Sequence, residues 1–341
     1  MPARRSSSAA APRTGPAKVT DAARLAGVSL ATVSRAFNAP ELLGAQTLDR
    51  VREAARKLDY LPYGLARSLR RRRAMVIGMV IPSLTNVYFA GTVERIQSLV
   101  ARRGYTMLLA SSSHDPETEI NAVKAMIGQG VDGMILFGRL QNPESAAALR
   151  RAGVPYLRSW VAAPGEPYVA FDHDRAMRKV ARHLLALGHR VFAAIMPFKV
   201  LGDTRRSRLE AVREELASDG VALAAEAVVD DLDLGIAAGR AAFRRVLERA
   251  PLATAVICSN DNLAAGAILE AQPCGLEVPR DVSVTGYNDL EIASAMSPAI
   301  TTVRTPMSEH AELVVAALLD SIASGEAAPS RMLETELVVR A

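Results

Sequence analysis

The segment SLATVSRAFN, residues 29–38, combines small side chains with groups that donate or accept hydrogen bonds. Hydroxyls occur at Ser29, Thr32 and Ser34, and Arg35 carries the only charge. A helix buried in a core needs larger apolar residues, whereas a helix surrounded by water usually carries more charge. The composition therefore favours a helix whose outer face contacts another molecular surface.

A second chemical feature is the arginine-rich stretch RSLRRRR at residues 67–73. Guanidinium groups bind phosphate oxygens through charge-assisted hydrogen bonds. Residues 1–75 hold 15 Lys and Arg against 5 Asp and Glu, whereas the remaining residues have a net charge of −5. A solvated basic tail would explain the arginines of residues 4–13, but the stretch 67–73 adjoins apolar positions at helical spacing. The asymmetry predicts contact with a polyanion such as nucleic acid.

Patterns typical of enzymes are weak in this chain. The segment SSSHD at residues 111–115 contains Ser, His and Asp, but a catalytic triad is assembled from distant segments. No phosphate-binding loop or dinucleotide motif follows a predicted strand. Cys258 and Cys274 define neither a disulfide framework nor a zinc site. We therefore predict a protein that is not an enzyme and has no catalytic residues, cofactor or metal.

The longest apolar runs, such as AMVIGMVIP, are too short to cross a bilayer. The basic start of the chain is rich in Ser, Ala and Pro and lacks the apolar centre of a signal peptide. We expect residues 1–17 to form a disordered tail on a cytoplasmic protein with no membrane partner.

Residues 18–60 show apolar positions at helical spacing and predict an all-α domain. Thr20 is expected to cap a first helix that ends at Gly27. Ser29 is expected to cap a second helix by accepting from a backbone N–H group, and a third helix is expected over about residues 46–58. The residues expected to pack inward from the first helix are Ala22, Ala23, Leu25 and Ala26. This order of helices is the helix-turn-helix arrangement.

From Met75 onward, short apolar strands alternate with amphipathic helices. The strands are predicted in MVIGMVI, YTMLLAS, DGMILF, VPYLRSW, RVFAAIM, ATAVICS and VSVTGYN. The alternation predicts βαβ units and doubly wound parallel sheets, and a break near Phe171 indicates two similar lobes. Ligands of such sheets bind beyond the carboxyl ends of the strands. The cleft between the lobes is therefore the predicted ligand site.

An ordered set of segments resembles the lactose/galactose repressor family of bacterial transcription regulators. These segments are VTDAARLAGVSLATVSRAFN, LDYLPYGLARSLR, IGMVIPSLTNVYFA, VDGMILF, LLALGHR, CSNDNLAAGAI and VPRDVSVTGYNDLEIA. They cover nearly the whole chain from about Lys18. The stretches NAPE and PSLTN are also similar to the gluconate-repressor branch of that family.

The resemblance implies a homodimer whose helix-turn-helix heads bind a palindromic double-stranded DNA operator. It also implies a body like the periplasmic binding proteins, with a small effector between two α/β lobes. The implied division is a tail at 1–17, the helix-turn-helix at 18–61, a hinge helix and linker at 62–74, and an effector-binding and dimerisation domain at 75–341. Within the last, the N-lobe is expected at about 75–172 and 303–330, and the C-lobe at about 173–302 and 331–341.

The helix in SLATVSRAFN resembles the family's recognition helix, which lies in the major groove. The implied DNA-binding residues there are Ser29, Leu30, Ala31, Thr32, Ser34, Arg35 and Asn38. Leu30 and Ala31 can contact a thymine methyl group, and Arg35 can donate to the O6 and N7 atoms of a guanine. In the hinge, Ala66 allows two helices to approach, Leu69 wedges into a base step, and Arg70 neutralises phosphates.

The resemblance also implies a set of effector-binding residues in the body. These are Asn86, Tyr88, Phe89, Asp172, Lys199, Arg208, Leu234, Asn260 and Asn288. Two of them depart from the family pattern, because Asn288 replaces an Asp and Leu234 replaces an aromatic residue. With Lys199 and Arg205 as added positive charge, these departures favour a small, anionic, non-aromatic effector: a sugar acid such as gluconate, or a phosphorylated sugar.

Two functions fit such a chain. One is a transcriptional repressor of carbohydrate or sugar-acid catabolism genes, under allosteric control by the effector. The other is a sugar-binding receptor without operator-specific regulation. The basic N-terminal region and the lack of a recognisable export signal favour the repressor.

Overall fold

The computed structural model describes residues 17–60, 73–84, 87–138, 142–197 and 203–340. The chain divides into two compact units, residues 1–74, here called the head, and residues 75–341, here called the body. Within the described ranges, no helix is both long enough and apolar enough to cross a membrane.

Over residues 17–60, the described core of the head, the chain forms three α-helices, α1 (Val19–Ala26), α2 (Leu30–Asn38) and α3 (Ala45–Lys57), with a short 3-10 turn before α3. Its small core consists mainly of alanine and valine, which let the helices approach closely. The buried core residues are Ala22, Ala23, Ala26, Val33, Ala36, Val51 and Ala54. The helix-turn-helix arrangement predicted from the sequence is confirmed.

The helix ends of the head follow from local backbone chemistry. Gly27 ends α1 with a left-handed φ of 64°, a conformation that glycine adopts without steric cost. The Ser29 hydroxyl accepts from the Thr32 N–H at 3.1 Å and caps α2, as expected. Gly44 precedes α3 and provides no side-chain cap.

Two expectations for α1 are wrong. Thr20 lies inside the helix, because α1 begins at Val19, two residues earlier than expected, with Lys18 as its N-cap. The Asp21 carboxylate accepts from the Lys18 N–H at 2.9 Å and stabilises that start. Leu25 is 52% exposed, because the helical turn of 3.6 residues places it away from the inward face that Ala22 and Ala26 share.

The body contains the remaining elements. The strands are β1 (Val76–Ile81), β2 (Thr106–Ser111), β3 (Gly133–Phe137), β4 (Tyr156–Trp160), β5 (Tyr168–Phe171), β6 (Phe192–Ile195), β7 (Val228–Val229), β8 (Ala255–Cys258), β9 (Ser283–Thr285), β10 (Thr302–Arg304), β11 (Arg331–Leu333) and β12 (Glu336–Val338). The helices are α4 (Val87–Arg102), α5 (Pro116–Gly128), α6 (Glu144–Ala152), α7 (His173–Ala186), α8 (Asp203–Ser218), α9 (Ile236–Arg249), α10 (Asp261–Ala271), α11 (Glu291–Ala295) and α12 (Met307–Ser324).

These elements build two parallel sheets, one in each lobe. The N-lobe sheet has the strand order β11-β5-β4-β3-β1-β2, and the C-lobe sheet has the order β7-β6-β8-β9. Every pairing within these two sheets is parallel. Strand β3 is buried along its length, as expected for a parallel strand covered by helices on both faces. The two-lobed α/β body predicted from the sequence is confirmed.

The lobe boundaries near the C-terminus differ from the expectation. Strand β11 pairs with β5 in the N-lobe sheet, so residues 331–333 do not belong to the C-lobe. Strand β10 pairs with β12, and a bridge from Thr301 to Thr285 joins this pair to the C-lobe. The chain therefore crosses between the lobes near residues 172, 305 and 334. The last crossing follows β11, the edge strand that completes the N-lobe sheet.

Close contact between α9 and α10 depends on two glycines. A Cβ on Gly239 would lie 2.4 Å from the Leu263 carbonyl oxygen, and a Cβ on Gly266 would lie 2.2 Å from the Ile236 carbonyl oxygen. Both neighbours are backbone atoms, so relief requires the helices to separate. The helix pair therefore tolerates only hydrogen at these positions.

We predict that Gly266→Ala destabilises the body by about 1–3 kcal/mol, the usual cost of overpacking a core. Gly128→Ala is the matched control, since the added methyl group meets no atom within 4 Å there, and no comparable loss is expected. Urea unfolding at one protein concentration measures both. Equal stability of the two variants would show that α9 and α10 can separate at little cost.

Asp261 anchors a connection within the C-lobe. It is 0% exposed, and its carboxylate accepts from the Thr302 hydroxyl at 2.5 Å and the Leu290 N–H at 2.7 Å. Burial raises the pKa of this carboxyl to about 7 despite these hydrogen bonds. The side chain therefore joins the start of α10 to β10 and to the segment before α11.

We predict that Asp261 makes stability fall as the pH rises from about 4 to 7. An Asp in the unfolded chain loses its proton near its ordinary pKa of 3.8, whereas the folded carboxyl keeps it until about 7, so the unfolded state binds fewer protons in this window. Asp261→Asn removes this contribution. Between about pH 5 and pH 8, the unfolding free energy should fall more for the unsubstituted protein than for the variant; parallel profiles would contradict the shift.

Candidate DNA-reading helix and inter-lobe ligand site

Helix α2 presents one face to the core of the head and another to solvent. Val33 and Ala36 are 1% and 3% exposed, whereas Leu30 is 50% exposed. Ala31 and Arg35 are also exposed, and Thr32 and Ser34 are half-buried. The exposed surface of α2 therefore offers an apolar contact at Leu30 and a hydrogen-bond donor at Arg35.

The hydroxyls at the start of α2 are already hydrogen-bonded within the head. The Ser29 and Thr32 hydroxyl oxygens lie 2.9 Å apart, and Ser29 also caps the helix. These bonds hold the first turn in place, and the side chains of Leu30, Ala31 and Arg35 remain exposed to solvent.

Several of the predicted site residues lie outside the described part of the chain. They are Ala66, Leu69, Arg70, Asn86 and Lys199, together with the side chains of Asn38, Tyr88 and Arg205.

In the body, Arg208 on α8 lies in a buried polar cluster between the lobes. It is 2% exposed, and its Nη2 lies 2.8 Å from Nδ1 of His173. Its guanidinium carbon lies 3.9 Å from the centre of the Tyr287 ring, in cation–π contact. The Tyr287 hydroxyl lies 2.6 Å from the same Nδ1. Arg208, His173 and Tyr287 are here called the arginine cluster.

His173 links this cluster to the N-lobe. Its Nε2 lies 3.1 Å from the carbonyl oxygen of Trp160, at the end of β4. A carbonyl can only accept, so Nε2 carries the proton and Nδ1 is the acceptor. Burial, and then the charge of Arg208, hold the pKa of His173 well below its usual value. The imidazole is therefore neutral and has a single lone pair.

The arginine cluster offers more donors than acceptors. The Tyr287 hydroxyl and Arg208 Nη2 both donate to one lone pair on His173. Arg208 Nε is buried and has no hydrogen-bond partner among the described residues, and no carboxylate forms a salt bridge with Arg208 within them. A buried cation without a counter-ion is costly. An added acceptor, above all an anionic one, would complete this cluster.

An aromatic cluster of Phe89, Phe137, Trp160 and Phe171 adjoins the arginine cluster from the N-lobe. Successive ring centres lie 4.9 Å, 5.4 Å and 5.0 Å apart along Phe89–Phe137–Trp160–Phe171, and the Trp160 ring lies 5.7 Å from that of His173. Trp160 has a left-handed φ of 90°, which strains a residue of this size. The strained backbone directs the Trp160 carbonyl to His173.

His310 on α12 packs against the same aromatic rings. Its ring centre lies 4.8 Å from that of Phe171, and its Nε2 lies 3.2 Å from the Val169 carbonyl. Burial lowers the pKa of His310 to about 4. A second neutral imidazole therefore packs against the aromatic cluster from the N-lobe.

The other predicted effector residues have mainly local roles. The Asp172 carboxylate accepts from the Arg175 N–H at 2.9 Å and caps α7. Asn260 caps α10 by accepting from the Leu263 N–H at 2.8 Å, and its amide donates to the Leu234 carbonyl. Leu234 itself packs, partly buried, against the C-lobe core. The structure thus brings Arg208 and Phe89 into the inter-lobe region but uses Asp172 and Asn260 as helix caps.

Asn288 lines a separate part of the inter-lobe region. A cleft of about 640 Å³ lies where α4 and α12 begin, opposite the segment before α11. Asn288 has a left-handed φ of 109° and lines this cleft together with Thr92, Leu290 and Met307. Leu290 and Met307 also pack against the core that contains the aromatic cluster. The cleft therefore adjoins that cluster.

Sequence reasoning did not assign a role to His173, Tyr287 or Trp160. His173 directly follows Asp172, and Tyr287 directly precedes Asn288. These neighbours, together with the single tryptophan of the chain, were the available signals. Their convergence on Arg208 depends on distant segments and is visible only in the folded body.

Comparisons with known proteins agree with this architecture. Residues 18–63 match the family described as bacterial regulatory proteins, lacI family, and residues 181–341 match the periplasmic binding protein-like domain. An uncharacterized HTH-type transcriptional regulator in the aml 5′ region of Streptomyces limosus is 33% identical, with 100% of this chain and 97% of that protein covered.

Two solved structures are also similar. The Lac repressor dimer bound to operator and the anti-inducer ONPF has a TM-score of 0.84 and 27% identity, covering 96% of this chain and 98% of that one. The complex of the transcriptional regulator CelR with cellobiose has a TM-score of 0.69 and 28% identity, covering 95% and 99%. The present chain is accordingly a DNA-binding transcriptional regulator, not an enzyme, and belongs to the lacI family of bacterial regulatory proteins.

Proposed function

We propose that this regulator is a repressor that binds a palindromic double-stranded operator as a homodimer. The observation that carries the proposal is the exposure of Leu30, Ala31 and Arg35 on a helix whose other face is buried. The similarity to the Lac repressor dimer bound to operator supports it. A dimer presents two such helices, which is why the operator is expected to be palindromic.

Base reading is assigned to the exposed side chains of α2. Leu30 and Ala31 contact thymine methyl groups in the major groove, and Arg35 donates to a guanine. Ser29 and Thr32, which hold the first turn of the helix, contact phosphates through their hydroxyls, as does Ser34, and Asn38 contacts a phosphate through its side-chain amide. In the hinge segment, Ala66, Leu69 and Arg70 are assigned to minor-groove contact and phosphate neutralisation.

The body is assigned to a small sugar-like acid, which binds between the lobes and controls operator binding. The buried Arg208, which has an unpartnered Nε and no carboxylate partner in the described part of the chain, favours an anionic group. The similarity to the CelR–cellobiose complex supports a sugar-like ligand. The proposed ligand contacts are Asn86, Tyr88, Phe89, Asp172, Lys199, Arg208, Leu234, Asn260 and Asn288. A gluconate-type acid or a sugar phosphate that induces release from the operator fits this assignment.

We predict that Arg35→Ala weakens operator binding by about 10- to 100-fold, as expected for one lost bidentate base contact. The operator is first selected from random duplexes with the unsubstituted protein. Gel-shift titrations at fixed salt concentration then compare the selected duplex with a scrambled one. Affinity for the scrambled duplex should change much less.

Arg56→Ala is the matched control, since it removes the same charge from an exposed position on α3 of the head. Any loss it causes should be equal for the selected and scrambled duplexes, because a phosphate contact carries no sequence information. If Arg35→Ala also lowers both affinities equally, Arg35 does not read a base.

We predict that Arg208→Met abolishes the response to acids without lowering stability. Methionine fills most of the volume of the side chain while removing a buried charge that has no counter-ion among the described residues, so the ligand-free melting temperature should stay equal or rise. Operator binding should persist. Thermal shift and operator release are measured with gluconate, 2-ketogluconate, glucose 6-phosphate and neutral glucose, since bound ligand raises the melting temperature.

Arg213→Met, a change on the same helix α8, should leave the response to the acids intact. A response only to neutral glucose, or an Arg208→Met variant that still responds to the acids, would contradict the anionic ligand. Failure of every variant and of the unsubstituted protein to bind any duplex would instead contradict the repressor assignment.

A further inference from the structure

We propose that His173 is a positioning residue that presets Arg208 to receive the acid group of the ligand. The inference rests on the proposed function and deepens it, because it assigns a role to a side chain that does not itself hold the ligand. The geometry of the arginine cluster carries it. His173 is 6% exposed and Arg208 is 2% exposed, so their contact is screened little by water.

The imidazole of His173 has two different hydrogen-bonding ends, and each is used by a different lobe. Nε2–H donates to the Trp160 carbonyl of the N-lobe at 3.1 Å. Nδ1 accepts from Arg208 Nη2 of the C-lobe at 2.8 Å. Anchoring at Nε2 fixes the tautomer and the ring plane, and this places the Nδ1 lone pair at Arg208.

The guanidinium of Arg208 is restrained at one end and on one face. Nη2 is held by His173, and the plane is covered by the Tyr287 ring at 3.9 Å. Nε is left without a partner in the described part of the chain. A long side chain normally loses rotamer freedom when a ligand immobilises it. Here the protein has already ordered Arg208 and left a donor for the incoming oxygen.

Tyr287 supports the same arrangement. Its hydroxyl lies 2.6 Å from Nδ1 of His173. Because the imidazole proton is on Nε2, Nδ1 can only accept, so the Tyr287 hydroxyl is a second donor to the same lone pair. Since Arg208 shares this acceptor, its bond to His173 orients the guanidinium without satisfying all of its donors. An anion therefore gains contacts that the ligand-free protein leaves unmade.

Two substitutions test the roles of the two imidazole nitrogens separately. In His173→Asn, the amide oxygen can occupy the place of Nδ1 and still accept from Arg208, but the bond to Trp160 is lost. In His173→Gln, the longer amide can reach the place of Nε2 and donate to the Trp160 carbonyl, but the acceptor for Arg208 is lost. If His173 acts mainly by joining the lobes, His173→Gln should behave more like the unsubstituted protein. If it acts by positioning Arg208, His173→Asn should do so.

The first measurement needs no ligand. Full-length protein labelled with 15N-arginine is examined by NMR, and the Arg208 signals are identified by their loss in Arg208→Met. We expect separate Nη signals, the mark of slow guanidinium rotation, in the unsubstituted protein and in His173→Asn. We expect averaged signals in His173→Gln. Separate signals in His173→Gln would overturn the proposal.

The second measurement uses gluconate, 2-ketogluconate and glucose 6-phosphate, with neutral glucose as a control. Trp160, the single tryptophan of the chain, reports binding by its fluorescence. The affinity for whichever acid binds the unsubstituted protein most tightly should fall by about 10-fold or more in His173→Gln, the effect of losing a charge-assisted hydrogen bond. His173→Asn should restore most of it.

The outcomes distinguish this inference from the proposed function. Equal acid affinities for His173→Gln and the unsubstituted protein would overturn it, even if the NMR signals differ. An equal loss for glucose and for the acids would also overturn it, because positioning of a cation acts on charge. If no acid binds any variant, the anionic ligand class fails, and the NMR comparison alone decides whether His173 orders Arg208.

Discussion

The contact between the neutral imidazole of His173 and the guanidinium of Arg208 is the constraint on which the inter-lobe region depends. A buried arginine usually requires a carboxylate, and the described part of this chain provides none for Arg208. The protein instead surrounds the cation with an aromatic face from Tyr287 and one lone pair from His173. This arrangement leaves the cation buried, ordered and incompletely satisfied. Such a group is poorly suited to stabilising the fold and well suited to binding an anion.

The junction of the lobes contains other features that cost folding free energy. Trp160 and Asn288 adopt left-handed backbone conformations, each of which costs on the order of 1–3 kcal/mol. Asp261 keeps a buried carboxyl in the C-lobe, where it holds Leu290 and Thr302. The two lobe cores, which contain close-packed apolar side chains, compensate for these local costs. Part of the backbone strain and of the buried charge of the body therefore lies where the lobes meet.

The head follows a different physical principle. Its core is built from alanine and valine, so the three helices are held by close backbone approach and by caps such as Ser29. The small core leaves larger side chains, including Leu30 and Arg35, available at the surface. An exposed apolar residue on the same helix as an exposed cation gains nothing in water alone but matches a groove that presents both methyl groups and hydrogen-bond acceptors.

Much of the fold could be read from local pattern. Helical spacing and the Ser29 cap predict the helices of the head, and the alternation of apolar strands with helices predicts two parallel sheets. These features depend on neighbouring residues, which a sequence displays directly. The predictions were wrong where a residue's position around a helix or a strand's partner decides the result. Leu25 lies on the exposed side of α1, and strand β11 pairs with β5, which is far away in the chain.

The sequence by itself therefore determined the class of the protein: the head with its exposed helix, the two lobes, and Arg208 as a residue of interest. Only the tertiary structure decided that Asp172 and Asn260 cap helices and that His173, Tyr287 and Trp160 surround Arg208. The reason is that the role of a polar side chain depends on which donors and acceptors lie within about 3 Å of it. At the junction, those partners come from segments that are distant in the chain.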